Sequence, residues 1–115
     1  MIITFADRTL MKYANDQSLA KRKLGVQQAE LFHRRLEDLR DSESFADLEH
    51  LPGNHHQLKF NRKDQWSCDL NQPYRLIYIP AYDPVPKDED GRQLLKELTA
   101  VRILEINNYH KEGKR

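Results

Sequence analysis

The chain opens on a short apolar run, Ile2 to Phe5, followed at once by polar residues, which predicts a brief strand and then a change of regime. From Val26 to Arg40 the apolar residues Ala29, Phe32, Leu36 and Leu39 recur at helical spacing, while Arg34, Arg35, Glu37 and Asp38 fill the remainder and Leu31 lies off the stripe. A helix with one buried face accounts for that pattern. Gly25 separates it from an earlier helix expected over about Asp7 to Leu24, whose basic end, Lys21-Arg22-Lys23, suits the negative pole of the helix dipole. Asp41-Ser42-Glu43-Ser44 breaks the period, Phe45 to Leu48 fits one more helical turn, and Leu51-Pro52-Gly53-Asn54 marks a boundary.

Beyond Asn54 the period shortens to two. His56, Leu58 and Phe60 alternate with Gln57 and Lys59, and Trp66, Cys68 and Leu70 alternate with Gln65, Ser67 and Asp69. Two amphipathic strands joined by a turn over Asn61 to Asp64 are predicted. Asn71-Gln72-Pro73 makes a second tight turn, and Tyr74 to Ile79, apolar at nearly every position except Arg75, reads as a central strand. Prolines and acids between Pro80 and Gly91 forbid a regular element there; Gln93 to Leu98 reads as a short helix and Val101 to Ile106 as the last strand. The sum is an α+β layout in one domain over residues 1–115: an N-terminal strand, expected at a sheet edge, and a two-helix layer packed on a small, mostly antiparallel sheet.

With 115 residues, of which 38% are apolar, the chain can supply a core despite a mean hydropathy of −0.87. The 19 basic and 18 acidic side chains nearly cancel, so bulk charge alone does not argue for nucleic acid. Basic residues do cluster locally, at Lys21-Arg22-Lys23, from Lys59 to Lys63, and in the tail at Lys111, Lys114 and Arg115. A single cysteine, Cys68, excludes an internal disulfide framework and multi-cysteine metal sites, and points to a reducing compartment, so cytoplasm is expected. Asp7 and Arg8 interrupt the N-terminus before a leader's apolar stretch can form, and no apolar run approaches the ~18 residues of a membrane span.

The polar residues set among apolar strand positions are the candidates for chemistry: His55-His56-Gln57-Leu58-Lys59, Arg62, Arg75 and Asn108-Tyr109-His110. An arginine on a central strand needs a carboxylate or a ligand, and Asp69 across the hairpin is the structural candidate. His55 and His56 are adjacent and point to opposite strand faces, and no H-x-x-x-H or CxxC spacing supplies companions, so neither metal nor cofactor is expected. Phosphodiester chemistry fits better. Histidine can protonate a leaving oxygen, lysine and arginine can stabilise phosphorane charge, and tyrosine can orient the attacking hydroxyl. RNA brings its own nucleophile in the 2′-OH, so such an enzyme needs no cysteine and no metal. Cys68, alternating with Trp66 and Leu70, reads as core; Ser67 lacks a G-x-S-x-G elbow, and the four glycines form no phosphate loop. Tyr74, Tyr78 and Tyr82 read either as base-stacking groups or as ordinary strand material.

Several segments in order carry a family resemblance: Leu51-Pro52-Gly53-Asn54, His56-Gln57-Leu58-Lys59, Gln65-Trp66-Ser67, Asp69-Leu70, Pro73-Tyr74-Arg75-Leu76-Ile77, Asp83-Pro84-Val85-Pro86, Val101 to Ile106, and Tyr109-His110. Together they resemble the HigB branch of the RelE/ParE toxin superfamily, densely in the C-terminal half and by pattern alone in the helical half. The resemblance implies a RelE-like fold and the toxin of a type II toxin–antitoxin module, acting as a ribosome-dependent endoribonuclease on mRNA in the decoding site. It implies a HigA-like helix-turn-helix antitoxin as partner, with operator DNA engaged only through that antitoxin and no membrane involved. The family's catalytic set falls on His56, Lys59, Arg75, Tyr109 and His110, and ribosome docking is expected of Lys21, Arg22, Lys23, Arg62 and Lys63. Phe60 stands where a glycine often follows the lysine, and Asn108 where an acid often precedes the tyrosine. Strand parity sets His55, rather than His56, on the face of Lys59 unless a bulge or a late strand start intervenes. The other reading is a non-catalytic binding protein on the same fold, either a ParE-like gyrase inhibitor or an inactive toxin that only engages its antitoxin.

Overall fold

In the computed structural model, which describes residues 1–60 and 62–108, strand β1 (Ile2–Phe5) leads into three helices, α1 (Arg8–Asn15), α2 (Gln17–Leu24) and α3 (Val26–Asp41). The helix predicted over Asp7 to Leu24 is therefore two. Asp16 is the reason: its backbone is extended and its carboxylate accepts from the Leu19 N–H at 3.0 Å, capping a new helix where the old one would have continued. Gly25, at φ +88°, ends α2 by donating its N–H to the Lys21 carbonyl at 3.0 Å. Helix α3 buries the expected Ala29, Phe32, Leu36 and Leu39, together with two residues that look like surface positions in the sequence, Gln28 and Arg35. Ser44 and Asp47 then form a capping box on a 3-10 helix, Phe45–His50.

Four more strands, β2 (His56–Gln57), β3 (Trp66–Asp69), β4 (Tyr74–Pro80) and β5 (Ala100–Asn108), complete a sheet of order β1-β5-β4-β3-β2. β1 runs parallel to β5 at one edge and the remaining pairs are antiparallel, so the α+β layout with a first strand at the edge is as predicted. The register shifts between Ile77 and Tyr78 of β4 against β5, leaving Leu104 as the extra residue of a bulge. One face of the sheet, carrying Trp66, Cys68, Leu76, Tyr78, Val101 and Ile103, packs on Leu10, Phe32, Leu36 and Leu39 of the helices and on Phe45 and Leu48. Phe45 meets Trp66 edge-on, with ring centroids 5.3 Å apart.

Two predicted elements contract. The strand expected to run to Phe60 is only His56–Gln57, with one further rung from the Leu58 N–H to the Gln65 carbonyl at 2.8 Å. Phe60 then turns out of the sheet at φ +64° and is 97% exposed, so it takes no part in the core. The helix expected over Gln93 to Leu98 is a 3-10 turn at Leu95–Glu97, because Gln93 is drawn into a bridge with Lys87 and a buried polar relay. In that relay the Trp66 indole N–H donates to Gln93 Oε1 at 2.8 Å and Gln93 Nε2 donates to the Asp64 carbonyl at 3.1 Å. Among the described residues, no helix is long and apolar enough to cross a membrane.

Helix and sheet are joined through backbone groups near the end of β3. Arg35 Nε donates to the Asp69 carbonyl at 2.8 Å, Gln28 Oε1 accepts from the Asn71 N–H at 2.8 Å, and the Asp69 N–H donates to the Gly53 carbonyl at 2.7 Å. Gly53, at φ +105°, lies against the guanidinium, and a Cβ there would stand 2.6 Å from Arg35 Nε. Gly53→Ala should therefore destabilise the protein by about 1–3 kcal/mol, combining a left-handed backbone with displacement of the arginine. Urea denaturation checks this, and an unchanged midpoint would show that the guanidinium yields freely.

Candidate functional site

The cross-strand register decides which side chains meet on the sheet face turned away from the helices. His56 pairs with Ser67, Ser67 with Ile77, Asp69 with Arg75, and Arg75 with Asn107. Directly opposed residues project to the same side, and alternate residues on one strand share it. His56, Ser67, Asp69 and Arg75 thus line a cleft of about 320 Å³, bordered by Asn54, Gln72, Pro73 and Tyr74. Asp69 is set directly across from Arg75, the placement the sequence anticipates.

His56 is exposed, and its Nδ1 lies 2.8 Å from the Asn54 carbonyl oxygen. A carbonyl only accepts, so Nδ1 carries the proton in that bond and Nε2 is left to accept or deliver one. Asn54 makes this possible by taking φ +52°, a conformation asparagine tolerates better than most residues. His55 goes the other way. It is 4% exposed, and its Nδ1 lies 2.6 Å from the Tyr78 hydroxyl. Burial, assisted by the Arg35 guanidinium and opposed by the backbone of Pro52, lowers the His55 pKa to about 4. Of the two adjacent histidines, then, His56 reaches the cleft and His55 belongs to the core.

Of the other residues predicted from the sequence, Arg75 is in the cleft. Lys59 is exposed, two residues past the end of β2, and lines no part of the cleft. Tyr109 and His110 lie outside the described residues, as do Lys111, Lys114 and Arg115; Asn108, where β5 ends, pairs with Tyr74 on the cleft's border. Lys21, Arg22 and Lys23 form the exposed last turn of α2, in the helical layer rather than at the cleft. Arg62 Nη1 turns back toward Gln65 Oε1 at 3.1 Å and Glu105 Oε2 at 3.4 Å. Lys63 is exposed and, with Lys87 and Arg102, borders a second groove of about 740 Å³. Cys68 is fully buried, and burial raises its thiol pKa, so it is no nucleophile. Among the described residues, no group of three His, Cys, Asp or Glu is clustered to hold a metal ion.

The sequence dismisses Ser67 as a nucleophile and reads Asn54 only as part of a boundary, yet both line the cleft. Ser67 is buried on the cleft wall opposite His56, and its Oγ has no hydrogen-bond partner among the described residues. Its parity with Asp69 was the available signal. Asn54 gives no such sign, since only its left-handed backbone brings its carbonyl to His56.

A family model described as a RelE-like toxin of the type II toxin-antitoxin system HigB matches residues 3–84, well over half of the chain and a span holding every residue of the cleft. No curated protein and no solved structure matches.

The depressed His55 pKa has a consequence for stability. Between about pH 6.5 and about 4 the unfolded chain binds a proton at this residue that the folded chain refuses, so the contribution of His55 to stability is complete above that window and lost as pH falls through it. Thermal unfolding of the parent should therefore weaken more steeply from pH 7 to pH 4.5 than that of His55→Gln. Parallel profiles would show that His55 titrates normally.

Proposed function

The chain belongs to the HigB-like family of RelE-like toxins of type II toxin-antitoxin systems, and we propose that it is a metal-independent endoribonuclease that cuts mRNA in the ribosomal decoding site. A type II toxin is paired with an antitoxin; we take that partner to be HigA-like, with a helix-turn-helix domain, and the site of action to be the cytoplasm. The observation that carries the proposal is the convergence of His56 and Arg75 in one cleft, with Asp69 opposite Arg75.

In this reading the RNA supplies the nucleophile. The 2′-OH attacks its own phosphate in line, the bond to the 5′-oxygen breaks, and a 2′,3′-cyclic phosphate and a 5′-hydroxyl result. Arg75 offers a planar fork of donors to the developing phosphorane charge, and a carboxylate across the strand favours a fixed orientation for it. His56 transfers a proton through Nε2, because Nδ1 is engaged by the Asn54 carbonyl. A reaction that both removes and delivers a proton needs a second group, a role assigned to His110, with Tyr109 and Lys59 completing the set. Lys21, Arg22, Lys23 and Lys63 make salt-sensitive contacts with rRNA phosphates, and Arg62 joins them from the hairpin. The ribosome's part is to bend the mRNA so that the 2′-OH lines up, an orientation effect of several kcal/mol.

Purified protein incubated with programmed ribosomes and with the same mRNA free in solution tests this. The parent should cut only the ribosome-bound message and leave 5′-hydroxyl ends. Arg75→Ala and His56→Ala should each lower the rate by roughly 10²- to 10⁴-fold while thermal unfolding stays near the parent's. Equal cutting of free RNA, or 5′-phosphate ends, would contradict the mechanism. Separately, reversing Lys21, Arg22 and Lys23 to glutamate should weaken ribosome binding markedly at moderate salt and leave the cleavage chemistry of the bound complex intact. Unchanged affinity would return these residues to an ordinary solvated surface.

A further inference from the structure

Phe60 is placed where folding gains nothing from it. Its ring is 97% exposed, and its backbone sits at φ +64°, a region that bulky side chains avoid. Both the strain and the solvent-exposed aromatic surface are unfavourable, and no packing among the described residues offsets them. The pedestal beneath it, by contrast, is braced on two sides. Arg62 reaches Glu105 at 3.4 Å, on the same sheet face as the cleft, and Asp64 is held by Lys87 at 2.8 Å and by Gln93 at 3.1 Å. Lys59 and Lys63, the exposed cations next to Phe60 and three residues beyond it in the chain, share this turn with the ring, and the Asp64 carboxylate in the same turn is paired with Lys87. An aromatic face flanked by cations is the combination that holds a single-stranded nucleic acid, one element for a base and the other for phosphates. Phe60 lies four residues from His56, at most ~14 Å along the chain, so a strand crossing the cleft comes within reach of it.

We propose that Phe60 is a base-stacking residue, its ring packing on a nucleobase of the mRNA strand that flanks the cleaved phosphate, while its chain neighbour Lys59 serves that phosphate itself. This rests on the ribonuclease reading given above and adds to it a residue that grips substrate. The test is binding of a labelled 2′-O-methyl RNA decamer, which cannot be cut because its nucleophile is blocked, and of the same decamer made abasic. The parent should prefer the decamer with bases. Phe60→Leu and Phe60→Gly should lose that preference, weakening binding roughly 5- to 150-fold, the range that one base–aromatic stack supplies, while Phe60→Trp keeps it. Phe60→Gly should meanwhile unfold at a temperature no lower than the parent's, since it relieves the left-handed strain, which separates lost grip from lost fold. A parent that binds both decamers equally, or neither, overturns the proposal. So do variants that bind the decamer like the parent and instead lose affinity for the ribosome or the antitoxin, because the ring then serves a different surface. Phe60-dependent binding by a parent that fails to cleave on ribosomes would sink the nuclease reading and leave only the base stack, without its place beside a cleaved phosphate. Active cleavage with a flat binding series does the reverse.

Discussion

The arrangement of the cleft depends on a cation buried where a helix meets the end of a strand. Arg35, 8% exposed on the inner face of α3, spends its Nε–H on the Asp69 carbonyl, and Gln28, two helical turns earlier, accepts from the Asn71 N–H. Buried polar groups are tolerated only when such bonds are made, and here they are made to main chain, whose position is thereby fixed. The Asp69 N–H in turn holds the Gly53 carbonyl, and Gly53 can lie against the guanidinium only because it has no side chain. One arginine thus sets the relative position of α3, β3 and the loop that delivers the histidines.

That loop divides two adjacent and chemically identical side chains. His55 turns inward, bonded to Tyr78 and held neutral by burial and by the charge of Arg35, whereas His56 turns outward with its Nδ1 bonded to the Asn54 carbonyl. The division follows from strand parity, but its use depends on β2 starting at His56 and not earlier. The same parity makes the sheet two-sided, with Trp66, Cys68, Leu76 and Tyr78 toward the helices and Ser67, Asp69 and Arg75 away from them. Stability and chemistry are therefore written on alternate residues of the same strands.

Away from the cleft, the long connection between β4 and β5 serves as a brace. Gln93 links the buried Trp66 indole to the Asp64 carbonyl, and Lys87 pairs with the Asp64 carboxylate, so the connection and the β2–β3 hairpin stiffen each other. Arg62 adds a strut to Glu105 on β5. The turn that carries Phe60 is thereby tied to the rest of the fold at Arg62 and Asp64.

Periodicity and parity alone carry much of this architecture. The α3 stripe, the central β4, the edge position of β1 and the α+β layout follow from where apolar residues fall, because burial is what those patterns encode. The co-location of Asp69 and Arg75 follows as well, since a short turn fixes the register of the hairpin. What the pattern could not disclose depends on single polar groups finding distant partners. Asp16 splits a helix by capping it, Gln93 forsakes a helix for Trp66, and Arg35 leaves the solvent-facing set to bind a strand carbonyl 34 residues away. Phe60 shows the limit most plainly: alternation assigns it to the core, yet β2 stops after two residues and the next turn ejects the ring. Hydrophobic period is a local property readable from neighbours, whereas the satisfaction of a buried donor or the end of a strand is decided by whatever the folded chain brings alongside.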